Sequence, residues 1–182
     1  MNTAIPKIEE PEKYIVYDFE DSPLMEVTSD MGSDVMMQYP LMGMYFAEKR
    51  CLMRKEVYEM LLRAQGFLPE GIYLRVWDAW RPFKLQKELY DAYAEDIIEQ
   101  FHLQDVPEEK RLKVVSAYIS LPYANRNCPP VHTTGGAVDV TLIDTEGREL
   151  NMGTAFDAFS EKTHTAFFEE TKEEVVKKNR RT

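Results

Sequence analysis

The stretch Pro129-Pro130-Val131-His132-Thr133-Thr134-Gly135-Gly136-Ala137-Val138-Asp139-Val140-Thr141 sets an imidazole seven residues ahead of a carboxylate, with a glycine pair between them. A neutral imidazole nitrogen and a carboxylate oxygen are both ordinary zinc ligands, and the glycines let the chain turn back sharply enough for both to reach one ion. The alternation Ala137-Val138-Asp139-Val140-Thr141-Leu142 predicts a buried strand that fixes the carboxylate on rigid backbone. On this reading the stretch is half of a zinc site. An isolated His-Asp pair of this kind is equally compatible with a surface histidine before a turn and an aspartate on a strand end.

A second segment, Val76-Trp77-Asp78-Ala79-Trp80-Arg81-Pro82-Phe83, is an apolar strand that stops at an arginine followed by a proline. After Pro82 the run Phe83 to Tyr93 has helical periodicity, so Arg81 falls at a strand-to-helix junction. A third segment is Asn151-Met152-Gly153-Thr154-Ala155-Phe156-Asp157. Together the three segments resemble the D-alanyl-D-alanine dipeptidase family of zinc peptidases, related to the D,D-carboxypeptidases that cut peptidoglycan stems. The third looks like that family's Met-Gly-x-x-Phe-Asp segment. The resemblance runs over roughly residues 70 to 180 and extends to the N-terminal third only in general organisation.

Position by position, the resemblance implies that His132 and Asp139 ligate zinc, that Arg81 stabilises the oxyanion formed at the substrate carbonyl, and that Asp157 holds the ammonium end of a dipeptide. A guanidinium is a planar fork of donors that keeps its charge, which suits it to a developing negative oxygen. An aspartate at 157 also suits a turn or a helix cap. The implied activity is zinc-dependent hydrolysis of D-alanyl-D-alanine or related short dipeptides in cell-wall peptide metabolism. Pro130 and Val131 stand where resistance-type members carry hydroxyl residues, so a broader D,D- or L,D-dipeptide preference is compatible with the sequence.

The family's Glu-x-x-His segment, which supplies the third zinc ligand and the proton-accepting glutamate, has no counterpart after Lys177-Lys178-Asn179-Arg180-Arg181-Thr182. The expectation is a single domain over residues 1–182 that is C-terminally incomplete. Its alternative function is then that of an inactive family member that at most binds small peptides. Glu161-Lys162-Thr163-His164 has the right spacing but lies in a polar connecting stretch, and a solvated helix surface is the expected role. His102 is expected to sit at a helix end, on the surface. A missing sheet strand would leave an open edge and apolar surface, hence possible self-association.

Composition bounds the remaining choices. The 182 residues, 44% of them hydrophobic, suffice for one core. A net charge of -10 offers no basic patch for phosphate backbones, so nucleic-acid binding is not expected. Cys51 and Cys128 are too few for a disulfide framework and are expected to be buried thiols. No apolar run is long enough for a bilayer and the first residues lack a secretory signal, so a cytoplasmic chain without membrane contact is expected, with a small dipeptide as its partner.

The expected architecture is α+β, a central antiparallel or mixed sheet flanked by helices with the zinc cleft on the sheet. Tyr14 to Phe19 alternates like an early strand, while Ser22-Pro23 and Ser33-Asp34 read as loops. Leu52, Val57, Met60, Leu61 and Ala64 recur at helical spacing ahead of Gly66, and Pro107 with two glutamates opens another helix. The methionines between Met36 and Met44 are expected to fill core gaps, and Glu169 to Arg181 to form a solvated helix or frayed tail.

Overall fold

The computed structural model describes residues 4–5, 22–122 and 129–182; the strand expected at Tyr14 to Phe19, and Cys128, lie outside the described residues. The fold is α+β, built on two small sheets. In the first, β1 (Leu24–Val27) pairs antiparallel with β3 (Cys51–Arg54). In the second, β2 (Asp34–Val35) runs parallel to β4 (Tyr73–Asp78), which pairs antiparallel with β5 (Asp139–Ile143). The mixed sheet that carries the site is thus as expected, whereas Asp34, read as loop, begins a short strand.

Helix α2 (Lys55–Gln65) starts later than the periodicity suggests, because Cys51 and Met53 alternate inward as strand residues while Leu52 is only half-buried. Four residues of period two are easily absorbed into a helical pattern. Tyr58 is the residue α2 buries, Val57 and Leu61 pack beside it, and Met60 and Ala64 face solvent. These side chains close a core with Val27, Met37, Cys51, Met53, Val76 and Ala79 between the two sheets. Met37 and Met44 do pack in cores, while Met36 and Met42 are exposed.

A second core lies under α1 (Gln38–Leu41), α3 (Phe83–Gln100) and α4 (Glu108–Tyr118), where Tyr39, Leu85, Leu89, Ile97, Val115 and Ile119 meet. Leu89 is fully buried, so Leu89→Ala costs about 2–5 kcal/mol in lost transfer energy and cavity. Pro82 and Pro107 occupy the N-caps of α3 and α4, where their missing N–H is no loss and their fixed φ suits the entry. His102 terminates α3 with φ of 53° and is exposed, as expected of a helix-end histidine.

The C-terminal segment corrects an expectation. Rather than a solvated helix or frayed tail, α5 (Glu174–Arg180) docks through the buried Val176. Arg180 donates to the carbonyls of Met152, Lys162 and His164 and lies over the Phe168 ring. Its aliphatic stem and cationic head both find partners that a count of charged residues does not reveal. No helix among the described residues is long and apolar enough to cross a membrane.

Candidate metal and peptide site

The site forms where β4 ends beside β5. Val76 faces Val140, but Asp78 faces Asp139, so Trp77 is an extra residue that bulges out of the ladder. The bulge turns both carboxylates to one place at the end of the pair, a common use of bulges beside functional sites. Like charges directly across a strand pair repel, so this arrangement requires cations. Arg81 supplies one: its Nε donates to Asp78 Oδ2 at 2.6 Å and its Nη2 to Asp139 Oδ2 at 2.7 Å. The guanidinium is buried, lies 4.9 Å above the Tyr39 ring, and makes one long contact, 3.4 Å, from Nη1 to Gln86 Oε1.

His132 sits in a 3₁₀ turn, Val131–Thr134, closed by Gly135 at φ of 75°. Glycine suits this position because its backbone is left-handed, which residues with a Cβ rarely adopt. The turn is sewn to the end of β4 by Arg81 N–H donating to His132 O at 3.1 Å and Trp80 Nε1–H donating to Thr133 O at 3.0 Å. His132 Nδ1 donates to Ala79 O at 2.8 Å, which leaves the lone pair on Nε2. That nitrogen faces Asp139 Oδ1 at 3.4 Å.

Two acceptors held face to face need a proton or a cation between them. Burial pulls the imidazole pKa down, but the contacts with Asp139 and Asp78 carry it up to about 9. Burial likewise opposes the Asp139 charge, and His132 and Arg81 together hold its carboxyl below the ordinary range. A metal can take the proton's place. Two ligands about 2.05 Å from a tetrahedral zinc stand about 3.3 Å apart, close to the separation found here. His132 and Asp139 therefore fit a zinc ion.

Asp78, His132 and Asp139 form the one acidic and imidazole group with metal-site proximity among the described residues. Asp78, however, lies 3.3 Å from Nδ1, the nitrogen already committed to Ala79, and on the other side of the ring from Asp139. One ion cannot use both sides of the imidazole, so the candidate donor set among the described residues is His132 Nε2 and Asp139 Oδ1. Glu161 and His164 do not join it. They lie on a 3₁₀ turn and its C-cap, where the His164 ring stacks with Tyr118 at a centroid distance of 6.4 Å.

Beside the ion pairs opens a cavity of about 220 Å³ lined by Tyr39, Arg81, Tyr93, Tyr118, His132, Asp139 and Asp157, among others. Asp157 sits at φ of 53°, and its Oδ2, like the Tyr93 hydroxyl, is buried without a hydrogen-bond partner among the described residues. Burial raises the Asp157 pKa above the ordinary range, with Tyr39 partly opposing the shift. The structure thus gathers Arg81, His132, Asp139 and Asp157 around one cavity. It adds Asp78, Tyr39 and Tyr93, which the sequence reading left without a site role. Asp78 carried a signal, an aspartate ending an apolar strand three residues before Arg81; Tyr93 carried none, being one of several aromatics on an amphipathic helix.

An α+β fold that brings an imidazole and two carboxylates close enough to hold a cation, beside a cavity, defines a candidate metal-site protein. Residues 37–182 match the family model described as D-ala-D-ala dipeptidase, and the chain belongs to that family. It is 31% identical over 99 residues to a D-alanyl-D-alanine dipeptidase of Synechocystis sp., an alignment covering 52% of this chain and 40% of that one. It is 26% identical over 120 residues to a D-alanyl-D-alanine dipeptidase of Escherichia coli (strain K12), covering 65% and 50%. The chain therefore spans about half or less of the length of these relatives.

Proposed function

We propose that the chain acts in zinc-dependent hydrolysis of short dipeptides of the D-alanyl-D-alanine type. The observation that carries this reading is the His132 Nε2 lone pair held 3.4 Å from Asp139 Oδ1, with Nδ1–H already spent on Ala79. Zinc, when bound, supplies Lewis acidity toward water and a peptide carbonyl. The remaining work falls to side chains. Asp157 receives the free ammonium of the dipeptide, whose donors satisfy the orphaned Oδ2. Arg81 lines the cavity with its charge fixed by two carboxylates, and its least occupied nitrogen, Nη1, is available for a developing oxyanion. The aromatic wall of Tyr39, Tyr93 and Tyr118 limits water around the reacting carbonyl.

A second reading, small-peptide binding without turnover, is favoured by the donor count. A catalytic zinc site normally has three protein ligands and an open position, and among the described residues His132 and Asp139 offer two. D-alanine release from D-Ala-D-Ala, measured with stoichiometric zinc and with an EDTA-treated control, separates the readings. Turnover abolished by EDTA supports hydrolysis. Zinc uptake without turnover supports binding alone, and neither uptake nor turnover sinks the metal assignment.

A further inference from the structure

The Nε and Nη2 hydrogens of an arginine form its side-on fork, which ordinarily grips both oxygens of a single carboxylate. At Arg81 that fork is divided. Nε goes to Asp78 Oδ2 and Nη2 to Asp139 Oδ2, one donor to each acid, and Asp139 Oδ1 is left to face His132. Asp78 is itself only 2% exposed and stands opposite Asp139 through the Trp77 bulge, so it cannot leave the fork for solvent. We propose that Asp78 is a positioning residue: by holding Nε it prevents the Arg81 fork from closing on Asp139, and so keeps Asp139 Oδ1 open as a metal ligand.

The reasoning concerns competition. An arginine and a metal ion both seek the Asp139 carboxylate, and a bidentate Arg81–Asp139 pair would occupy the ligand oxygen. Asp78 diverts half of the fork and supplies the second negative charge that the buried guanidinium needs. It does so from the Nδ1 side of His132, 3.3 Å away, where it cannot itself compete for the ion. Asp78 thereby acts on the metal through Arg81, without being a ligand.

This inference rests on the zinc reading above, and its test keeps the two apart. Cobalt(II) binding to the metal-stripped chain is titrated by visible absorption for the parent, Asp78→Asn and the double variant Asp78→Asn/Arg81→Met. Asp78→Asn is expected to weaken cobalt binding about 10- to 100-fold, the usual scale for partners one shell beyond the ligands. The double variant is expected to return to within about threefold of the parent, because the competitor is gone; loss of a merely structural aspartate would not be repaired by a second core change. An unaffected Asp78→Asn, or a double variant as weak as the single, overturns the proposal. If Asp78→Asn fails to fold, Arg81→Met alone decides, with cobalt affinity expected at or above the parent's and a weaker affinity refuting the idea. No cobalt uptake by the parent removes the metal assignment itself, and this inference with it.

Discussion

The two walls of the cavity are built on opposite principles. On the β4–β5 side every charged group has a protein partner: Arg81 bridges Asp78 and Asp139, and His132 lies between the same two acids. On the side of Asp157 and Tyr93, two buried oxygens lack a well-formed hydrogen bond among the described residues, and the Asp157 charge close to Tyr93 helps burial raise the tyrosine pKa. A satisfied cluster fixes geometry, whereas an unsatisfied one states what a ligand must bring. The first wall can hold a cation in place of one proton, and the second calls for a donor-rich group such as an ammonium. On the function proposed above, the metal would sit at the first wall and the peptide amine at the second.

The sharpest way to break this division is at His132. His132→Ala removes the lone pair that faces Asp139 and is expected to reduce zinc affinity by on the order of 100-fold or more, measured as zinc retained after dialysis. His164→Ala, which removes only the ring stacked on Tyr118, should retain the parent content. Equal losses would mean that the metal sits near Glu161 and His164, and the satisfied wall would lose its assigned role.

Next in size is the effect of Asp157→Asn on peptide binding. A charge-assisted hydrogen bond in a buried setting contributes about 1.5–3 kcal/mol, so D-Ala-D-Ala should bind roughly 10- to 100-fold more weakly in calorimetry. Cobalt affinity should stay within about twofold of the parent, since Asp157 lies outside the donor group. An N-acetylated dipeptide should bind both proteins alike, there being no ammonium to lose. A variant that binds the free dipeptide as well as the parent would remove the peptide amine from this wall.

How much of this was legible in the sequence follows the same division. His132 and Asp139 could be picked out from their spacing across a glycine turn, Arg81 and Asp157 only through the family resemblance of their segments, and the structure brings all four to one cavity. The two site strands were legible as elements, from the apolar run that begins at Val76 and the alternation over Ala137 to Leu142, whereas the sheet that joins them was implied only by the family resemblance. What could not be read was non-local. The role of Asp78 depends on a bulge that shifts its cross-strand partner by one residue, and that of Tyr93 on α3 passing beside Asp157. Arg180 looked like one more charge in a polar tail, yet three carbonyls from 152 to 164 receive it. Composition reports how many charges a segment has; only the tertiary fold decides which are satisfied.

A titration sharpens the first wall. The proton on His132 has a folded-state pKa of about 9 against an ordinary 6.5, so in the metal-free protein its contribution to stability is fully present below about 6.5 and is lost as pH rises through about 9. Metal must displace that proton. Zinc or cobalt affinity should therefore rise by about tenfold per pH unit from pH 7 and level off near 9. Metal-stripped protein should show the matching fall in thermal stability relative to His132→Gln over the same window. A flat affinity profile would mean that no proton occupies the space between Nε2 and Asp139 Oδ1.

The smallest effect tests the second wall without any ligand. The Asp157 carboxyl has a folded pKa raised by burial, so it binds protons more readily folded than unfolded. Its charge therefore opposes folding, and that cost grows as pH climbs from the unfolded carboxylate value through the folded one. Asp157→Asn should then be more stable than the parent at pH 7, by an amount in the ~0.5–2 kcal/mol range typical when a strained functional group is removed, and no more stable at pH 3, where the parent carboxyl is already neutral. For a chain of this size that is a rise of a few degrees in Tm. The same substitution is expected to weaken dipeptide binding, so stability and recognition should move in opposite directions at one residue. That opposition would distinguish an acid held for a ligand from one paired for the fold: Asp78→Asn, on the other wall, leaves the buried guanidinium one carboxylate instead of two and should lower stability and metal affinity together.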